Sequence, residues 1–167
     1  MKRIFGFYVF LAVVAFVSFG FGTRASNQDD FWKNAARMDM AEIALGNLAL
    51  QKSQNEEVKK FAQMMVDEHT KTSEELKSLA AAKNVTLPSD LESRHQDALD
   101  RLNSRSGADF DRQYMRQMVG DHERAVKMYQ RQSERGTDAE LKDFAAKTLP
   151  ALQTHLQTAR AVQGSLK

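Results

Sequence analysis

Glu42, His69, His122 and His155 each interrupt an apolar stripe at helical spacing, and they are side chains that bind borderline metal ions. The stripes run Phe31, Ala35, Met38, Glu42, Leu45, Ala49; then Val58, Ala62, Met65, His69, Thr72, Leu76, Leu79. A third gives Tyr114, Met118, His122, Ala125, Tyr129, and a fourth Leu141, Ala145, Thr148, Leu152, His155, Ala159, Val162. Steps of three and four keep each set on one helix face, so all four groups are expected to turn towards a shared core. A charge or an unpaired imidazole buried there costs several kcal/mol. Three imidazoles and one carboxylate suit a single Zn, Cu, Fe or Mn ion. Asp39, Asp67, Glu68, Asp121 and Glu123 would then accept from the imidazole N–H groups that face away from it. Equally, the four groups can satisfy one another in a buried polar network that fixes helix register and does nothing else. The sequence leaves both open.

Other chemistries lack residues to carry them. No Ser-His-Asp order, Gly-rich phosphate loop or cysteine is present, which removes support for hydrolase, nucleotide and dithiol readings. His95 shares a stripe with Leu91, Ala98 and Leu102 on a shorter helix and reads as structural or surface-edge. Met38, Met40, Met64, Met65, Met115, Met118 and Met128 are scattered over helix faces, which suits adaptable core filling better than soft-metal ligation. Asp121 and Glu123 flank a stripe position and are expected to be solvated.

The elements that must position these groups are all helical. Apolar residues recur at helical rather than alternating spacing, and only Pro88 and Pro150 are prolines. A first helix is expected from about Asp29 to Lys52. Ser53-x-x-Glu56 has the form of a capping box opening a second, to about Lys83. Ser89-x-x-Glu92 opens a shorter third, ending near Arg105. A fourth runs from about Ala108 to Glu134, with Gly136 suited to its C-terminal cap. Thr137-x-x-Glu140 opens a fifth that continues towards Leu166. Asn55–Ala62 echoes Asp138–Ala145, each opening the second helix of a hairpin. The expected architecture is therefore all-α: two αα-hairpins joined by a shorter crossover helix, the topology of a ferritin-like four-helix bundle. Pro150 lies inside the fifth helix, where it removes one N–H and frees the Ala146 carbonyl.

Residues 1–25 read as an export signal. Lys2 and Arg3 precede an uncharged run from Ile4 to Gly22, and Thr23-Arg24-Ala25 places small residues for cleavage before Ser26. The alternative is an uncleaved inner-membrane anchor formed by residues 4–22. Residues 26–167 are then one domain, periplasmic or in the cell envelope. The formal charge of +2 owes its sign to Lys2, Arg3 and Arg24, because removing them from 24 basic residues leaves 21 against 22 acidic ones. Acidic and basic residues interleave with no basic stripe, so nucleic acid is not an expected partner, whereas another envelope protein is.

Three ordered blocks carry a family resemblance: Val58-Lys59-x-Phe61-Ala62-x-x-Met65-Val66-x-Glu68-His69, Phe110-Asp111-x-x-Tyr114-x-x-x-Met118-Val119-x-Asp121-His122, and Leu141-Lys142-x-Phe144-Ala145-x-x-x-Leu149-Pro150-x-Leu152-x-x-His155-Leu156. Together they resemble the exported, ferritin-like bacterial proteins grouped as domain of unknown function 4142, over essentially the whole mature chain. The resemblance implies a helical bundle and export but no activity. Carboxylate-bridged di-metal bundles need Glu-x-x-His on two helices. Val66, Val119 and Leu152 stand three residues before the three histidines, so that chemistry is unsupported. Two functions remain: a metal-binding envelope protein, or a non-catalytic envelope or stress-related interaction protein with a structural polar core.

Overall fold

A computed structural model describes residues 22–166, with side chains from Asp30 onwards and at Gln28. The export signal expected at 1–25 therefore lies outside the described residues except for its last four. Five helices follow in order: α1 (Gly22–Lys52), α2 (Glu56–Ala82), α3 (Ser93–Asn103), α4 (Gly107–Arg135) and α5 (Ala139–Ser165). α1 starts seven residues before the expected Asp29, since no proline interrupts that stretch. No described helix is long and apolar enough to cross a membrane.

The helix starts fall slightly downstream of the expected caps, for local reasons. Ser53 N still donates to Ala49 O at 2.9 Å and so closes α1. Capping of α2 passes to Asn55, whose Oδ1 accepts from Glu57 N at 2.9 Å and Val58 N at 3.2 Å. At α5 the cap is Asp138, accepting from Leu141 N at 2.9 Å, because Thr137 Oγ1 donates instead to Gln28 Oε1. The chain after Ser89 stays irregular until Ser93, and Glu92 caps α3 without a side-chain bond. Gly136 ends α4 at φ −57°, not in the left-handed form. It is needed for space, as a Cβ there would lie 2.5 Å from the Gln132 carbonyl oxygen.

α1 packs on α2 and α4 on α5 as two hairpins, and the α2–α5 and α1–α4 seams join them. The stretch from Lys83 to Ser106, which contains α3, connects α2 to α4 at the opposite end of the bundle, so that neighbouring helices are antiparallel. This is the ferritin-like topology with one long crossover. α3 lies against α1 and α4, covering that seam. His95, expected to be structural or at the surface edge, is buried on the inner side of α3, 4% exposed; Asp121, expected in solvent, is instead buried, 5% exposed. Glu123 is half-buried and pairs with Arg160.

The apolar interior is divided in two. One cluster holds Phe31, Trp32, Met38, Leu76, Tyr129, Leu141, Phe144 and Leu152. The other holds Leu45, Phe61, Met65, Phe110, Tyr114, Met118 and Ala159. Between them lies a buried polar layer of Asp39, Glu42, His69, His122 and His155. The stripes expected from sequence do face inwards, although Thr72, Leu79 and Thr148 are only half-buried while Ser73 and Ala80 are buried. α5 runs unbroken through Pro150.

Close packing within the first hairpin depends on Gly46. A Cβ at this position would lie 2.8 Å from Val66 Cγ2 and 3.0 Å from the Ala62 carbonyl oxygen. Alanine gains about 1 kcal/mol of helix propensity over glycine. Overpacking against a backbone carbonyl outweighs it, at about 1–3 kcal/mol. Gly46→Ala is therefore expected to melt a few degrees below the parent. A melting temperature equal to or above the parent's would show that α1 and α2 separate at little cost.

Candidate metal centre

Each imidazole reaches the polar layer from a different helix, and each has one nitrogen fixed by an acceptor. His69 on α2 donates from Nδ1 to Asp39 Oδ1 on α1 at 2.8 Å. His122 on α4 donates from Nδ1 to the Met118 carbonyl one turn earlier, also at 2.8 Å. His155 on α5 donates from Nε2 to Glu68 Oε2 on α2 at 2.8 Å. An acceptor at one ring nitrogen requires the proton there, which leaves a lone pair on the other. The remaining nitrogens, His69 Nε2, His122 Nε2 and His155 Nδ1, are buried without a hydrogen-bond partner. The rings stand 5.4–5.7 Å apart between centroids. One ligand atom from each of the three lies within 4.8 Å of the others.

Burial keeps two of these lone pairs available, those of His122 and His155. Burial lowers His122 to about 3, reinforced by the neighbouring His69 and His155 and opposed by the bond to Met118. Burial also lowers His155, with His69 adding to it and Glu68 opposing. Both rings are thus neutral at physiological pH, the form that ligates metals. Asp39 is raised by burial against the opposing hydrogen bond from His69. Glu42 is raised well above the carboxylate range by burial, and by the charges of Asp121 and Asp39.

Three of the four residues singled out in the sequence therefore converge. Glu42 is buried next to them, but its Oε1 lies 4.0 Å from His122 Nδ1, the nitrogen committed to Met118. Its Oε2 has no hydrogen-bond partner. Among the acids expected behind the imidazoles, Asp39 and Glu68 take that role. Asp67 accepts from Gln63, Asp121 from Gln117 and Arg124, and Glu123 from Arg160. Two buried hydroxyls, on Tyr114 and Tyr129, also lack partners and were not recognised from the sequence. Their stripe positions mark them as core, yet nothing in the spacing says whether a hydroxyl finds an acceptor.

The donor set fits one ion. Bonds of about 2.0–2.1 Å in a tetrahedral site space the nitrogens roughly 3.3 Å apart. One ligand atom from each ring already lies within 4.8 Å of the others, so reaching that spacing takes an approach of about 1.5 Å or less. No second group of three metal-capable side chains occurs among the described residues.

Solved structures with this fold include a DUF305 fragment from Deinococcus radiodurans, at TM-score 0.75 and 16% identity, covering 84% of this chain and 97% of that one. A DUF305 protein from Streptomyces coelicolor, assigned as secreted, matches at TM-score 0.68 and 14% identity over 82% of this chain and 93% of its own. CopM in its Cu(II)-bound form matches at TM-score 0.71 and 19% identity, over 83% and 97%. These identities speak to the fold alone. No match was found among curated proteins. A family model does match, over residues 22–162, and with the three blocks and the bundle in place the chain belongs to the family described as Domain of unknown function (DUF4142).

Proposed function

We propose that this protein is an exported helical bundle that binds one transition-metal ion through His69 Nε2, His122 Nε2 and His155 Nδ1. The observation that carries this reading is the set of three buried, unpartnered imidazole nitrogens on rings 5.4–5.7 Å apart, each on a ring whose other nitrogen is anchored. A purely structural polar network would pair these atoms with one another. Leaving a buried polar atom unmade costs about 1–3 kcal/mol each. Three such atoms on adjoining rings are better explained by a ligand that satisfies all of them. Anchoring ligating imidazoles through Asp39, Glu68 and a backbone carbonyl is the usual support for a metal site.

Borderline ions that accept nitrogen, Cu and Zn above all, suit this set. The shared fold of CopM, which has been seen in Cu(II)-, Cu(I)- and Ag-bound forms, points the same way. Glu42 would join as a fourth ligand only by losing its proton and turning towards the cluster. The periplasm or envelope is the proposed location, in keeping with the export signal and the secreted assignment of a structural relative. Elemental analysis of untagged protein from the periplasm, with titration of stripped protein by Cu(II) and Zn(II), tests the reading. Uptake of one ion per chain is expected. Absence of uptake in folded protein would return the cluster to a structural role and direct attention to protein partners.

A further inference from the structure

The three anchors differ in one respect that the ligand geometry does not require. Asp39, behind His69, is fully buried, and His122 is held by a backbone carbonyl inside α4. Glu68, behind His155, has a side chain 44% exposed, while His155 itself is 3% exposed. The Glu68–His155 pair is thus the one anchor that links the buried layer to solvent. It spans the α2–α5 seam. α3 covers the opposite seam, between α1 and α4, and the first hairpin is closed tightly at Gly46. One turn beyond Glu68 on α2, Thr72 is short and half-buried, as are Ala151 and Thr158 a turn to either side of His155 on α5, while Met64, a turn before Glu68, is long and half-buried.

Resting on the metal-binding reading above, we propose that the α2–α5 seam at Glu68 is the door through which a divalent cation reaches the three imidazoles. Glu68 is the first ligand the hydrated ion meets, and His155 is the imidazole that swings outwards to receive it. When His155 turns back, its Nδ1 carries the ion to His69 and His122, and its Nε2–H again donates to Glu68. The protein then handles exchangeable metal, taking it up and releasing it, instead of holding a permanent structural ion.

The test follows Cu(II) association with stripped protein by stopped-flow absorbance, in Glu68→Lys and in Asp67→Lys. Asp67 is an adjacent exposed carboxylate that faces Gln63. Both variants change the net charge equally, but only the first places the cation at the door. A focused local field changes association rates by about tenfold or more. Association is expected to slow by at least about tenfold in Glu68→Lys and by less than about twofold in Asp67→Lys. Glu68→Gln keeps an acceptor for His155 without the charge, and is expected to fall between the parent and Glu68→Lys. Equal slowing in the two lysine variants, or parent-like association in Glu68→Lys and Glu68→Gln, would overturn the door. Faster release with unchanged association would also overturn it, because it would make Glu68 only a positioning residue for His155. Failure of the parent to take up Cu(II) would remove the metal-binding reading itself, an outcome distinct from all of these.

Discussion

In His122→Ala the melting temperature all but ceases to respond to metal. For the parent, a free ion concentration a hundredfold above Kd stabilises the fold by about 2.7 kcal/mol. In a domain of this size that corresponds to a rise of roughly 5–10 °C. Losing an outer anchor alone weakens metal sites about 10–100-fold, so losing a ligand is expected to weaken this one at least about a hundredfold. At the same ion concentration the variant then gains about 0.4 kcal/mol, or roughly 1 °C. Scanning calorimetry with and without Zn(II) reads both shifts. A structural polar layer makes the opposite forecast: no metal response in the parent, and a loss in the variant that reflects only the cavity left behind. The two readings therefore separate in the parent protein, before the variant is considered.

Acid should unfold the metal-free protein through the same residue. His122 is held at about 3 in the folded chain against 6.5 unfolded. A group with a depressed folded value stabilises fully above its unfolded pKa, and that contribution is lost as pH falls through the window down to the folded value. Here the window runs from about 6.5 to about 3, and at 1.36 kcal/mol per unit the full loss is on the order of 4–5 kcal/mol. Glu42 acts in the reverse sense. Its folded value is raised above 4.5, so its contribution is present at low pH and is lost as pH rises from there through the raised value. The two partly cancel above pH 4.5; below it Glu42 no longer offsets the His122 loss, which His155, also lowered by burial, reinforces. Urea midpoints measured from pH 7 to pH 3.5 should fall most steeply at the acidic end. The slope in His122→Ala should be flatter there by about 1.4 kcal/mol per pH unit. Parallel slopes would mean that His122 gains its proton as readily when folded as when unfolded.

The helices and their inner faces were legible in the sequence because a 3.6-residue period is a local property. Met118, His122 and Ala125 must share a face in any straight helix, whatever surrounds it. Convergence of His69, His122 and His155 was also foreseeable in outline, since each lies at a similar distance from its hairpin turn. Which carboxylate meets which imidazole was not. Asp39 and Glu42 are one turn apart on α1, and the stagger between α1 and α2 decides that Asp39 faces His69 while Glu42 lies beside His122. Asp121 was misread as solvated for a related reason: its burial depends on the long crossover placing α3 over α4, a contact between distant parts of the chain. The caps were misplaced by one to three residues because Ser53 completes α1, Thr137 turns to Gln28, and the chain after Ser89 stays irregular until Ser93.

The division of the interior also bears on how the bundle assembles. Apolar surfaces are forgiving of translation: a leucine finds hydrocarbon at almost any height along a neighbouring helix. Were a hairpin to slide by one turn, about 5.4 Å, His122 would enter hydrocarbon and a methionine or an alanine would face the carboxylates. The polar waist thus acts as a notch that indexes the two hairpins along their common axis.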